Sequence, residues 1–206
     1  MKRIVSAVSK ISLASAANIT TGIIRTKIFA VILGTAGVGV VSQLTSFSGL
    51  VLFVCTAGIP IGITKLVSEF EKEDKWQEIY EILNKTLALL VLFGAISLIL
   101  TFCFANEISK LILDSSSYSE YIVIVAMAFP FSVVMIVLDA YLRGLKKFNH
   151  YVKISIINSV ISLVTTVGFV YYFSILGFAI SIFLISILNI IVYIWFLHRN
   201  KLIELK

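Results

Sequence analysis

Ser15, Asn18, Gly22 and Arg25 follow one another at i, i+3, i+7 and i+10, the spacing that stacks side chains along one side of an α-helix, with Thr21 adjacent. Set in an apolar stretch, such a stripe can replace the hydration of a polar guest and, through its guanidinium, pair with a phosphate or carboxylate. Arg25 and Lys27 each have two readings. They could end a short helix, but Ile11 to Ile24 is only 14 residues, too few to cross a bilayer. Arg25 is therefore expected to face a polar cavity, since an Arg at mid-bilayer costs about 3 kcal/mol when it faces lipid. Lys27 either joins it there or reaches the outer headgroups with its long side chain. One acid falls inside a long apolar stretch, Asp139, four residues before Arg143. It pairs with Arg143 as an i,i+4 neighbour, or it is a protonatable group for ion coupling. Lys65, Arg143 and Lys146 read as topology determinants that also form a basic rim suited to phosphate-bearing lipids.

Other chemistry is not signalled. The chain has no HExxH, GxSxG, GxxxxGK[ST] or clustered acidic or His/Cys set, and its two histidines, His150 and His198, fall in charged segments. Cys55 and Cys103 lie in separate apolar runs and read as packing residues. The GTAGVG stretch at 34–39 has the wrong spacing for a phosphate loop and no βαβ context. We expect no enzyme activity, no cofactor and no metal.

The elements that must position these residues are membrane helices. Hydrophobic residues make up 59% of the 206 and charged residues 14%, with a mean hydropathy of +1.05. Soluble domains carry about 45–50% and about 25%, so the bilayer is the expected solvent. The balance of 17 Lys and Arg against 11 Asp and Glu reads as topology, with no nucleic-acid partner implied. Residues 28–64 and 154–197 are uncharged runs of 37 and 44, the second roughly 66 Å long as one helix, so each must turn back. The sequence thus predicts an all-α integral membrane protein of six transmembrane helices, at about 11–33, 41–64, 87–105, 121–142, 154–173 and 177–197. Kinks are expected at Gly58-Ile-Pro60-Ile-Gly62 and at Pro130. Trp76, Ile79, Tyr80 and Leu83 repeat at i, i+3, i+4 and i+7, which predicts an amphipathic interfacial helix over about 69–85.

The cations alternate. Residues 1–10, 65–85, 143–153 and 199–206 carry three, four, four and three Lys or Arg, while Lys110 stands alone on the opposite side. The positive-inside rule then places both termini in the cytoplasm. The basic N-terminus lacks the apolar core of a signal peptide and is expected to be retained.

Three segments together carry a family resemblance: KIFAVILGTAGVG at 27–39, GIPIGITKLVSEF at 58–70 and LRGLK at 142–146. The chain resembles O-antigen and enterobacterial common antigen translocases, lipid-linked oligosaccharide flippases of the multidrug/oligosaccharidyl-lipid/polysaccharide exporter superfamily. Lys27, Lys65 and Arg143 fall on basic positions of that pattern; the roles of Arg25 and Asp139 rest on the physical argument alone. The resemblance implies one lobe, the N-terminal one, of a two-lobe flippase or MATE-like transporter in the bacterial inner membrane, working in polysaccharide biosynthesis. It implies an undecaprenyl-diphosphate-linked sugar repeat moving from the cytoplasmic to the periplasmic leaflet by alternating access. Expected partners are the lipid bilayer, the lipid-linked oligosaccharide and a second six-helix lobe, either a second copy or a missing C-terminal half. Two other classes stand beside it: a cation-coupled drug or metabolite antiporter, with Asp139 as its one candidate carboxylate, and a non-transporting membrane scaffold.

Overall fold

The computed structural model describes residues 2–199, and for residues 2–8 and 10 the backbone only; the basic tail at 200–206 lies outside the described residues. Among the described residues every regular element is helical: α1 (Lys2–Thr56), α2 (Ile59–Lys72), α3 (Trp76–Cys103), α4 (Ala105–Leu113), a 3-10 turn (Ser116–Tyr118), α5 (Ser119–Ala126), α6 (Phe129–Gly144) and α7 (Phe148–Arg199). Residues 11–56, 76–103 and 148–199 are long and apolar enough to cross a membrane, and α5 with α6, bent by 43°, makes a fourth such unit. Their outer faces are apolar as well. Val31, Phe53, Ile61, Leu111 and Tyr172 are each more than three-quarters exposed, a surface that water would not tolerate and lipid does.

The two longest runs are each broken once. Gly34 adopts φ 68°, ψ −177°, a region open essentially only to glycine, and divides α1 into two limbs. Ser174 divides α7 at φ 52°, ψ −132°, near the first central position of a type II′ turn, where glycine is preferred. The chain doubles back there, because the missing Cβ of Gly177 points at the Phe169 carbonyl oxygen from only 2.0 Å. Eight residues of straight helix would separate these positions by about 12 Å. The Phe29 and Phe178 rings, one near each break, meet edge to face at 5.9 Å.

Two elements differ from the expected layout. The stretch 41–64 was expected as one kinked span, but Ala57 (φ 41°) and Gly58 (φ 78°) are both left-handed and end the helix outright. Pro60 then starts α2 in its first turn, where a missing N–H costs nothing. The stretch 69–85 was expected as a single interfacial helix and is not one. Asp74 (φ 53°) separates α2 from α3, and α3 begins at Trp76 and runs on without interruption to Cys103. Ile79 and Leu83 are buried rather than facing lipid. They continue, with Leu90, a stripe that packs into the same core as Val67, Val137 and Tyr141, so the amphipathic stretch is the polar start of a long helix.

Packing is closest at glycines. Gly144 of α6 meets α2, where a Cβ would lie 2.7 Å from Val67 Cβ and 3.1 Å from the Thr64 carbonyl, and the Thr64 hydroxyl donates to the Ala140 carbonyl at 3.2 Å. Gly94 of α3 meets the α5–α6 bend, 2.9 Å from Pro130 Cα by the same construction. One apolar cluster, with Tyr141, Leu142, Ile154 and Tyr193, fills the end of the bundle that carries α2 and the end of α6. Another, with Phe29, Val41, Leu44, Val170 and Phe178, fills the end that carries both breaks.

The reversal at Ser174 can be tested through Gly177. Gly177→Ala is expected to lower the thermal unfolding midpoint of the detergent-purified protein by several degrees, since overpacking costs about 1–3 kcal/mol. Gly62→Ala, with open space around its Cβ, should leave that midpoint where it is; equal effects of the two changes would contradict the reversal.

Candidate functional site

Between the two apolar clusters lies a polar interior. The first limb of α1 runs alongside the first limb of α7, and the same offset recurs twice: Asn18 meets Ser155 and, seven residues on, Arg25 meets Ser162. A constant offset over seven residues, two helical turns, means that the two limbs run parallel. Asn18 Nδ2 donates to Ser155 Oγ at 3.3 Å, Ser159 Oγ donates to Asn18 Oδ1, and Arg25 Nη1 donates to Ser162 Oγ at 3.3 Å. Membrane helices commonly associate through such small hydroxyl residues, because they let backbones approach and supply donors where lipid has none.

The seam opens into a cavity of about 400 Å³. Asn18, Thr21 and Arg25 line it from α1, Ser155, Asn158 and Ser159 from the first limb of α7, Asn189 and Tyr193 from the second limb, and Met135 and Asp139 from α6. A second cavity of about 700 Å³ adjoins it, sharing Arg25, Met135, Ser162 and Asn189. Its wall carries Ser42, Thr45, Ser46, Ser48, Ser132, Thr166 and Ser186 among apolar residues. Several of these hydroxyls donate back to helix carbonyls, as Thr45 does to Val41 at 2.7 Å and Thr166 to Ser162 at 2.6 Å. That leaves their oxygen lone pairs facing the cavity as acceptors.

Charges in this interior are few and unpaired. Arg25 is half-buried and has no carboxylate of the described residues within 4.0 Å. The i,i+4 ion pair between Asp139 and Arg143 is not formed within 4.0 Å either. The Arg143 guanidinium instead sits over the Tyr151 ring, 5.9 Å from its centre, and Asp139 accepts a hydrogen bond from the Tyr193 hydroxyl. A ring face at the start of α7 competes for Arg143 with a carboxylate one turn away on its own helix.

The expected stripe is thus only partly realised. Asn18, Thr21 and Arg25 face the cavity together with Asp139, whereas Ser15 and Lys27 are exposed and line neither cavity. At about 100° per residue Ser15 lies roughly 90° and Lys27 roughly 150° away from the face shared by Asn18, Thr21 and Arg25, so neither points into the cavity. Lys65 and Lys146 lie elsewhere, on α2 and just past α6. Lys65 Nζ is 4.0 Å from Glu69 and Lys146 Nζ is 3.2 Å from Glu71, both exposed contacts.

Sequence reasoning missed the α7 half of the site. Ser155, Ser159, Ser162 and Thr166 recur at spacings of four, three and four in an uncharged run, the same one-face signal that marked Asn18 and Arg25. Asn189 and Tyr193, one turn apart on the second limb, complete it.

No curated protein and no solved structure matches the chain significantly. A family of polysaccharide biosynthesis proteins does match it, over residues 7–205. That match takes in both limbs of α7, all of α2 to α6 and every cavity residue named above, and the chain belongs to the polysaccharide biosynthesis protein family.

Proposed function

We propose that the chain is one lobe of a lipid-linked oligosaccharide flippase, its six crossings made by the two limbs of α1, by α3, by α5 with α6, and by the two limbs of α7. In this reading both termini are cytoplasmic, the membrane is the bacterial inner membrane, and a second six-helix lobe closes the cavity from its open side. The cargo is an O-antigen-like repeat on undecaprenyl diphosphate, moved to the periplasmic leaflet by alternating access.

One observation carries the reading: Arg25 stands in a hydroxyl-lined cavity and is in ion-pair contact with no carboxylate of the described residues, Asp139 on the same cavity included. A diphosphate cannot enter hydrocarbon without its hydration being replaced. A guanidinium presents several donors to phosphate oxygens at once, and a wall of Ser and Thr oxygens accepts from sugar hydroxyls. The lipid tail would remain in the bilayer. Asn18 and Thr21 orient the charged head beside Arg25, Lys27 snorkels to the outer headgroups, and Lys65, Arg143 and Lys146 hold the cytoplasmic edge. The helix breaks at Ala57–Gly58 and before Pro130 allow a lobe to bend as it rocks.

Arg25→Ala, produced at wild-type membrane abundance, is expected to reduce surface display of the glycan about 10- to 100-fold. Losing a hydrogen bond to a charged group costs about 1.5–3 kcal/mol. Arg25→Lys should keep part of the activity, and undiminished display by Arg25→Ala would reject the reading. The topology is checked separately in a chain with Cys55 and Cys103 replaced. A cysteine at Ser116 should react with an impermeant maleimide from the periplasmic side, and one at Glu73 only after the inner membrane is opened. The reverse pattern would invert the orientation.

A further inference from the structure

The turn that joins α6 to α7 gathers positive charge with no acid of its own. Residues 143–153 hold Arg143, Lys146, Lys147 and Lys153, and no Asp or Glu occurs between Asp139 and Glu204. Lys146 reaches across to Glu71 of α2 at 3.2 Å, but Arg143, Lys147 and Lys153 have no carboxylate of the described residues within 4.0 Å. Lys146, Lys147, Phe148, Asn149 and His150 enclose a pocket of about 160 Å³ at this turn. His150 Nδ1 is shielded from solvent and has no hydrogen-bond partner. The amides of Phe148 and Asn149, the first of α7, donate to no backbone carbonyl among the described residues. An imidazole nitrogen, two free amides and ammonium groups can all donate, so the pocket suits an anion. No Ser or Thr lines it, and it shares no residue with the two cavities around Arg25.

Two neighbouring features set the depth of this pocket and the kind of anion it fits. The His150 ring packs edge to face on Phe196 at 5.3 Å, and beside Phe196 the Trp195 indole is more than half exposed, with the Arg199 guanidinium over it at 5.2 Å. An exposed indole next to a cation marks a membrane interface, where the ring's apolar body meets lipid and its N–H meets headgroups. Along the first limb of α7, Asn149, Lys153, Ile157, Val160 and Val164 follow at i, i+4, i+8, i+11 and i+15, on one face of the helix. All five are exposed. A basic head continued by an uncovered apolar track matches a molecule with an anionic end and a hydrocarbon tail. With no hydroxyl wall to take sugars, the pocket suits the phosphodiester of a bilayer phospholipid better than a glycan-bearing diphosphate.

We infer that the start of α7 is a binding site for an anionic phospholipid: Lys147, His150 and Lys153 hold the headgroup phosphate, and an acyl chain lies along Ile157, Val160 and Val164. The binding does not depend on the transport reading above; that the leaflet is the cytoplasmic one rests on the topology proposed there. The lipid fixes the depth in the bilayer of the first limb of α7, the limb whose Ser155 and Ser162 accept from Asn18 and Arg25. It thereby steadies the seam from the face opposite the cavity.

The test is native mass spectrometry of the detergent-purified chain titrated with phosphatidylglycerol or with phosphatidylcholine of the same acyl chains. Wild-type protein is expected to hold one phosphatidylglycerol about tenfold or more tighter than phosphatidylcholine, since each cation at a headgroup contributes several-fold in affinity. Lys147→Ala with Lys153→Ala should remove most of that preference. Lys72→Ala with Lys75→Ala, which takes the same charge from the α2–α3 turn, should leave it intact. Ile157→Ser with Val160→Ser keeps every cation and should weaken phosphatidylglycerol binding several-fold. Size-exclusion profiles identify any variant that does not fold, and the single Lys147→Ala and Lys153→Ala changes serve if the double one is among them. No preference in the wild type would overturn the site, and so would equal losses in the two lysine pairs, which would reduce the effect to net charge. Full displacement of the lipid by glycerophosphoglycerol, the same headgroup without chains, would make this a site for a soluble phosphate. Undecaprenyl diphosphate that displaces phosphatidylglycerol from the wild type and fails to bind the Lys147/Lys153 variant would assign the site to the cargo; either result overturns the phospholipid.

Discussion

Everything in this bundle is arranged around one constraint: a guanidinium and a row of amides and hydroxyls must be held inside a chain whose exterior is apolar. Hydrocarbon offers no hydrogen bonds, so the cost of an exposed Arg25 can be met only by protein or enclosed water. The α1–α7 seam meets it, with Ser155, Ser159 and Ser162 supplying partners to Asn18 and Arg25. Small side chains are needed there for two reasons at once. They let the limbs approach, and each brings a hydroxyl oxygen that can accept from the facing helix, as Ser155 does from Asn18 and Ser162 from Arg25.

The helix breaks follow from the same need. A parallel seam between the first limbs of α1 and α7 leaves both of their second limbs to return along the bundle, which requires sharp reversals. Gly34 adopts its conformation freely, and Ser174 adopts a similar one at a cost of about 1–3 kcal/mol for a non-glycine residue. Phe29 against Phe178 then seals the end where both breaks lie. At the other end Tyr141, Leu142 and Ile154 pack around the α2–α6 crossing, which Gly144 lets close to contact distance. The polar interior is bounded lengthwise by these two apolar clusters.

Much of this could be read from residue types. The helical class followed from composition, and an uncharged run of 44 residues had to turn because one helix of that length overshoots any bilayer. Arg25 stood out because a charge in lipid is expensive. What stayed hidden depended on partners rather than on periodicity. Nothing local distinguishes a helix that lies on a membrane from the polar start of one that enters it; for 76–85 the difference is that Ile79 and Leu83 find Val67 and Tyr141. The i,i+4 rule named Arg143 as the partner of Asp139, but it cannot count a tyrosine arriving from another helix. Ser155, Ser159 and Ser162 were visible as a stripe, yet as neutral residues they cost little in lipid and gave no energetic reason to single them out.

The separation of Arg25 from Asp139 bears on how such a cavity could work. Opposite charges placed in contact would neutralise one another and leave the cavity indifferent to ions. Held apart, each keeps its field for a guest of opposite sign. On the proposed reading the guest at Arg25 is a phosphate, and Asp139 on α6 accepts from Tyr193 on the second limb of α7 instead of from the guanidinium, which donates to Ser162. Arg25 itself lies on α1, so the field it offers that guest depends on how closely α6 and the α7 hairpin approach α1: a neutralising carboxylate brought nearer would weaken the hold on a phosphate, and one drawn away would strengthen it.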